Sequence, residues 1–271
     1  MIDLHLHTTA SDGYYSPEQL VDQAFLAGLK VISITDHDTV AATEPIKHLA
    51  EARGLLAISG TEITAVDHNQ DIHMLGYFFD HQDEALEDFL ASQREYRIDR
   101  IEMIADRLSE LGLPIDMSNL LENAHQPGNS VGRPHIAQAM VRSGHVGDIY
   151  EAFNKWLGED CPAFVPRTGP LPTTVIEVIH AAGGIASLAH PGLTSIDENI
   201  KALQQVGLDA IEVYHSKHSV EDRDRYLAIA RKLRLFVTGG SDYHGNQHHG
   251  GGLGKMCLPE VEWNRIKQYL N

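Results

Sequence analysis

Residues 1–38, MIDLHLHTTASDGYYSPEQLVDQAFLAGLKVISITDHD, read as a strand, a helix and a second strand. Met1 to His7 alternates apolar and polar side chains with the period of two that a strand requires. Ser16 suits a helix N-cap, Pro17 the first helical position and Gln19 the far side of a capping box. Leu20, Ala24 and Phe25 then share one apolar face, and Gly28 ends the helix. The apolar run Val31 to Thr35 follows as the second strand. Two short strands separated by one helix predict a parallel pair with a crossover connection.

The alternation continues outward. A helix near Thr43 to Arg53 and strands at Leu55 to Gly60 and Ile72 to Tyr77 come next. Later strands are predicted at Gly184 to Ala189, Ala210 to Val213 and Leu235 to Gly239, with helices at Thr174 to Ala182, Ile200 to Gln205 and Glu221 to Leu233 between them. No glycine-rich nucleotide fingerprint follows the first strand, which favours an α/β barrel over an open doubly wound sheet. Between about His81 and Pro166 the spacing of Phe89, Leu90, Ile98, Ile101, Ile104, Leu108 and Leu111 is helical only. The expected organisation is therefore a barrel built from residues 1–80 and 167–271, with a helical insertion over 81–166. The charged run Arg94 to Arg107 reads as the solvated face of an amphipathic helix.

Composition narrows the function. With 42% hydrophobic residues the 271-residue chain can fill a real core. Its formal net charge of −17 argues against broad nucleic-acid binding, which depends on many Lys and Arg contacts to phosphate. An anionic substrate would need local positive charge, and bound divalent cations supply it, which directs attention to the 17 histidines. Cys161 and Cys257 form no spaced metal or redox motif. No apolar stretch approaches the roughly 20 residues of a membrane helix and no charged leader precedes the first strand, so a cytoplasmic protein is expected.

Metal-binding residue types recur where the predicted strands end. His5 and His7 close the first strand, and Asp36, His37 and Asp38 follow the second. Glu62 follows the third, His73 lies in the fourth, His190 follows an apolar strand, and Asp242 and His244 follow the last. The C-terminal strand ends of a parallel barrel converge on one face. Residues two apart share a side of a strand, so His5 and His7 can hold one ion together. One such residue is usually an ordinary hydrogen-bonded group, but nearly every strand delivering one to the same end is poorly explained by chance. Nitrogen and carboxylate donors without thiolates suit Mn²⁺, Zn²⁺ or Fe²⁺. A helix start at Arg133-Pro134-His135 adds a plausible phosphate seat.

Taken together, Asp3-Leu4-His5-Leu6-His7-Thr8, Ser11-Asp12-Gly13, Thr35-Asp36-His37-Asp38, Gly60-Thr61-Glu62, Ile72-His73-Met74-Leu75-Gly76, Ala189-His190-Pro191 and Gly240-Ser241-Asp242-Tyr243-His244 resemble the polymerase-and-histidinol-phosphatase (PHP) family. The resemblance implies a distorted (β/α)7 TIM-like barrel with a site for two or three divalent metal ions. It implies that His5, His7, Glu62 and Asp242 hold one metal, that Glu62, His73 and His190 hold a second, and that Asp12, His37 and His244 hold a third. Within the family the chain is similar to members with a helical insertion, the nucleoside 3′,5′-bisphosphate phosphatases and a 5′-to-3′ exoribonuclease of short RNAs. In those relatives an Arg before a histidine-containing helix and a Lys in a Phe-x-Lys-aromatic-Leu motif contact phosphate. Arg133, His135 and Lys155 stand in those places here, followed by an acidic Gly158-Glu159-Asp160 where those relatives are commonly basic.

The expected activity is metal-dependent hydrolysis of phosphate esters of nucleotides or short RNA ends, by a hydroxide held between metals. Glu62, Asp242 and His190 would serve the catalytic centre, Asp38 is a candidate acid for the leaving group, and His215 a candidate substrate contact beside the insertion's Arg133, His135 and Lys155. The partner is a small phosphorylated molecule, a nucleotide or short oligonucleotide. His248 and His249 read as an exposed loop. A phosphatase for another small phosphomonoester such as histidinol phosphate, or a silent metal-binding module, are the competing classes.

Overall fold

The computed structural model describes residues 1–68, 70–194, 196–245 and 252–270. Among them the chain forms β1 (Ile2–Leu6), α1 (Pro17–Leu26), β2 (Val31–Ile34), α2 (Thr43–Glu51), β3 (Leu56–Ile58), β4 (Gly60–Asp67) and β5 (Gln70–Tyr77). Helices α3 (Glu84–Glu110), α4 (Ser118–Ala124), α5 (Arg133–Arg142) and α6 (Ile149–Ala152) follow, with a π-helical turn at Phe153–Leu157. The last part is α7 (Pro172–Ala181), β6 (Ile185–Leu188), α8 (Pro191–Thr194), α9 (Ile200–Gln205), β7 (Ala210–His215), α10 (Val220–Leu233), β8 (Phe236–Gly240) and α11 (Glu260–Ile266). The Ser16 and Gln19 capping box opens α1 with Pro17 at its first turn. Both half-caps are local hydrogen bonds and were readable from spacing alone.

The strands form two sheets, β1-β2-β3 and β4-β5-β6-β7-β8. Parallel bridges at Leu6↔Tyr243 and His37↔Glu62 join the two sheets, the first from the end of β1 and the second from just after β2. The expectation of uniformly parallel strands fails at β5, which runs antiparallel to both β4 and β6. The reason is the connection: β4 pairs with β5 as far as Asp67↔Gln70, a hairpin, whereas a parallel partner needs a crossover of a dozen or more residues. Glu62, expected in a loop after the third strand, therefore sits inside β4.

Leu86 and Leu90 of α3 pack into the core shared by β4–β8 and α7, while Ile98, Ile101, Ile104 and Leu108 pack into a second core with Ile136, Met140 and Leu157. Helix α3 thus has a foot in each, and its buried stripe corrects the reading of Arg94 to Arg107 as a solvated face. Arg97 and Arg100 lie on that stripe at 8% and 7% exposure. Among the described residues no helix is long and apolar enough to cross a membrane.

Candidate metal centre

β1 delivers His5 and His7, both buried, to the end of the strand, and β4 brings Glu62 beneath them. Asp242 follows β8 with φ 53°, and His190 follows β6 with φ 25°, left-handed conformations that non-glycine residues adopt only where the surroundings hold them. The Nε2 atoms of His5 and His7 each lie 3.4 Å from Glu62 Oε2, and 3.4 and 3.2 Å from Asp242 Oδ1. A tetrahedron with metal–ligand distances of about 2.0–2.1 Å has edges of about 3.3–3.4 Å, so these donors match its edges. His5 Nε2, His7 Nε2 and Glu62 Oε2 are buried without a hydrogen-bond partner, a costly state that a cation would relieve.

Around the other Glu62 oxygen, His73 Nδ1 lies at 2.8 Å and His190 Nε2 at 3.1 Å. Asp12 Oδ1 lies 3.2 Å from His244 Nε2, and Asp12 Oδ2 lies 3.8 Å from His37 Nε2. His37 stands between these groups, with its Nδ1 also 3.2 Å from Glu62 Oε2. The structure thus brings all the expected metal-ligating residues into one cluster, with His7 and His37 each touching two of its parts. Burial opposes charge on Glu62, Asp12 and Asp242, yet the surrounding imidazoles outweigh it and hold all three carboxyls well below their usual range.

The remaining expectations divide. Arg133 lines the cavity above the cluster, 3.9 Å from Asp71 and over the ring of Phe164. Lys155 does not reach it: the side chain is exposed and its Nζ is bonded to Glu151 one helical turn away. His135 is turned aside as well, its Nδ1 accepting the Gly132 N–H at 3.1 Å and its ring bonded to the Ser11 backbone, so it fastens the start of α5. His215 is fully buried and meets Asp242, which excludes substrate contact. His248 and His249 lie outside the described residues.

Asp38 cannot supply the leaving-group proton. Burial favours its neutral form, but Arg97 Nε at 2.5 Å and Arg167 Nη2 at 2.7 Å share its Oδ2 and hold the carboxyl far below the range of a general acid. Sequence reading missed Arg97, Arg100, Arg167, Asp71 and Lys217, all of which line the cavity. One signal was available, since Arg97 falls on the helical stripe Leu86, Leu90, Arg97, Ile101, Ile104, Leu108. The cavity, about 300 Å³, thus has a carboxylate–imidazole floor and a wall of four guanidiniums balanced by only two carboxylates, Asp38 and Asp71.

Comparison with known proteins adds the chain's family and its similar structures. A family profile described as PHP domain matches residues 3–155. The chain is 36% identical over 251 residues to the 5′-3′ exoribonuclease Rnm of Escherichia coli K12, covering 89% of this chain and 84% of that protein. It is 29% identical over 258 residues to the 3′,5′-nucleoside bisphosphate phosphatase of Chromobacterium violaceum, covering 93% and 90% of the two. A solved structure from Bifidobacterium adolescentis, described as a candidate metal-dependent phosphoesterase, superposes with a TM-score of 0.90 at 34% identity, covering 99% of this chain and 96% of that one.

Proposed function

This chain belongs to the PHP domain family, and from that premise we propose that it removes phosphate from nucleotides bearing a second phosphate, such as nucleoside 3′,5′-bisphosphates, or from the ends of short RNAs. The observation that carries this reading is one cavity holding a carboxylate–imidazole cluster and, beside it, guanidiniums in excess of carboxylates. The cluster suits the phosphate that reacts, and the guanidiniums suit one that does not. We read the two sheets as one distorted seven-stranded barrel in which β3 and β4 are a single strand broken at Ser59, and residues 81–166 as a cap over its mouth.

His5, His7, Glu62 and Asp242 would hold one divalent ion, Glu62 with His73 and His190 a second, and Asp12, His37 and His244 a third. Such ions acidify water and draw charge from phosphoryl oxygens. The chain's own part is to place the ester. Arg100 and Arg133, sharing Asp71, present planar forks to the distal phosphate, and Lys217, which also lines the cavity, supplies a point charge. Ile101, Phe153 and Leu193 add apolar lining for a sugar or base. At about 300 Å³ the cavity is at the small end for ligand sites, which suits one terminal nucleotide and not a duplex.

Elemental analysis of the purified protein is expected to find more than one equivalent of divalent transition metal, and exhaustive chelation to abolish phosphate release. Full activity after chelation would end the metal reading. Across a panel of nucleotides and sugar phosphates, doubly phosphorylated nucleotides are expected to give the highest kcat/KM, whereas a clear preference for histidinol phosphate would replace the nucleotide reading. Arg133→Ala is expected to lower kcat/KM on a nucleoside bisphosphate by about 10- to 100-fold, the worth of one charge-assisted hydrogen bond, with much less effect on p-nitrophenyl phosphate. Lys155→Ala, with its ammonium turned to Glu151, should match the parent on both, and a loss there equal to that of Arg133→Ala would show that the side chain swings into the cavity.

A further inference from the structure

Strand β7 gives no ligand to the proposed metal cluster, yet it carries two fully buried polar side chains, Glu212 and His215. Residues three apart on a regular strand face opposite sides. Here the pairing moves two residues along β7, from Glu212 to Tyr214, while β8 moves one, from Thr238 to Gly239. The bulge at Val213 brings Glu212 and His215 to the same side, the re-aiming that bulges beside active sites produce.

Each side chain stands behind a different part of the cluster. Glu212 Oε1 lies 2.9 Å from His5 Nδ1, and its Oε2 accepts the backbone N–H of His190 at 2.8 Å. A carboxylate at Nδ1 keeps the proton on that nitrogen and turns the Nε2 lone pair of His5 toward Glu62 and Asp242. His215 Nδ1 accepts the Lys217 N–H at 3.2 Å, so its proton is on Nε2, 3.3 Å from Asp242 Oδ2. That occupies Oδ2 and leaves Oδ1 facing His7 Nε2 at 3.2 Å. A buried carboxylate is costly unless its oxygens are used, and both oxygens of Glu212 are used on the site.

We infer that Glu212 and His215 are positioning residues that preset the metal centre. Glu212 aims His5 and anchors the backbone of His190, so a single side chain sets the spacing of two of the proposed metal sites. His215 selects which oxygen of Asp242 is offered. This rests on the metal-dependent reading above, and its test needs no substrate.

The experiment titrates the metal-free full chain with Zn²⁺ against a chromophoric chelator for the parent, Glu212→Gln and His215→Phe, with the absorption spectrum of each Co²⁺-loaded protein and thermal melting of each metal-free protein. Outer partners of metal-ligating histidines are worth about 10- to 100-fold in affinity. Both variants are expected to weaken the tightest binding step by that factor and to alter the Co²⁺ spectrum, with metal-free melting close to that of the parent. Parent-like affinity and spectrum in the folded variants would overturn the positioning role alone, as would an affinity loss that only follows the unfolded fraction. A parent chain that binds neither ion would overturn the metal reading and this inference together.

Discussion

Glu62→Ala is expected to lose metal and activity together, with kcat/KM on a nucleoside bisphosphate falling by about 10³-fold or more. Removing one preorganised electrostatic group from an active site costs about 10²–10³-fold, and Glu62 serves two groups at once. Its Oε2 faces His5 and His7 at 3.4 Å, and its Oε1 faces His73 at 2.8 Å and His190 at 3.1 Å. No neighbouring carboxylate can take both roles, because Asp12 lies on the His244 side and Asp242 Oδ2 is held by His215. Glu62→Gln, which keeps the shape and removes the charge, separates the two contributions: metal content should fall in both variants, more in Ala. Elemental analysis beside steady-state kinetics decides it. Full metal content in Glu62→Ala would mean that Glu62 is a ligand in neither group.

Asp38→Ala is expected to destabilise the metal-free protein by about 3–5 kcal/mol, the usual cost of removing one partner from a buried charged group. Asp38 Oδ1 accepts the Thr64 N–H at 3.0 Å, and its Oδ2 binds Arg97 and Arg167. Arg97 in turn donates to Val131 O at 3.2 Å and Thr64 Oγ1 at 3.0 Å, so this one carboxylate clasps α3 and the segment before α5 to β4. Without it two largely buried guanidiniums face each other with their shared carboxylate gone. Urea unfolding of the metal-free chain measures the loss, and Asp38→Asn, which keeps volume but not charge, should retain only part of the stability. A change below about 1 kcal/mol, the range of exposed pairs, would mean that the clasp is solvated. Unchanged stability with loss of one limb of the pH–rate profile would restore Asp38 to the role of acid.

The capping of α1, the period of β1 and the shared side of His5 and His7 were legible in the sequence because each depends on a few neighbouring positions, whereas β4 was not read as a strand of its own. A period of two marks β1, Ser16 and Gln19 sit three apart in a capping box, and His5-x-His7 shares a side because a strand alternates. Other features required the chain to be folded. The direction of β5 follows from a hairpin where a crossover was expected. Glu212 was passed over inside an apolar strand although a lone acid there was a readable sign, and its partner His5 is 207 residues away.

The arginines separate the two levels most clearly. By its own character Arg97 belongs in water, although its place on the apolar stripe of α3 was a readable sign of burial. Only packing brings Asp38, 59 residues away, and Arg167 against it, and turns a solvated face into the buried wall of a cavity. Lys155 shows the reverse, a cation expected at the phosphate that Glu151, four residues before it, holds in solvent. The amino-acid sequence by itself determined which chemical groups the strands deliver to the site, because periodicity and capping act over a few residues. Which charges meet there was decided only by the tertiary structure, because desolvation and ion pairing depend on what packing brings within a few ångströms.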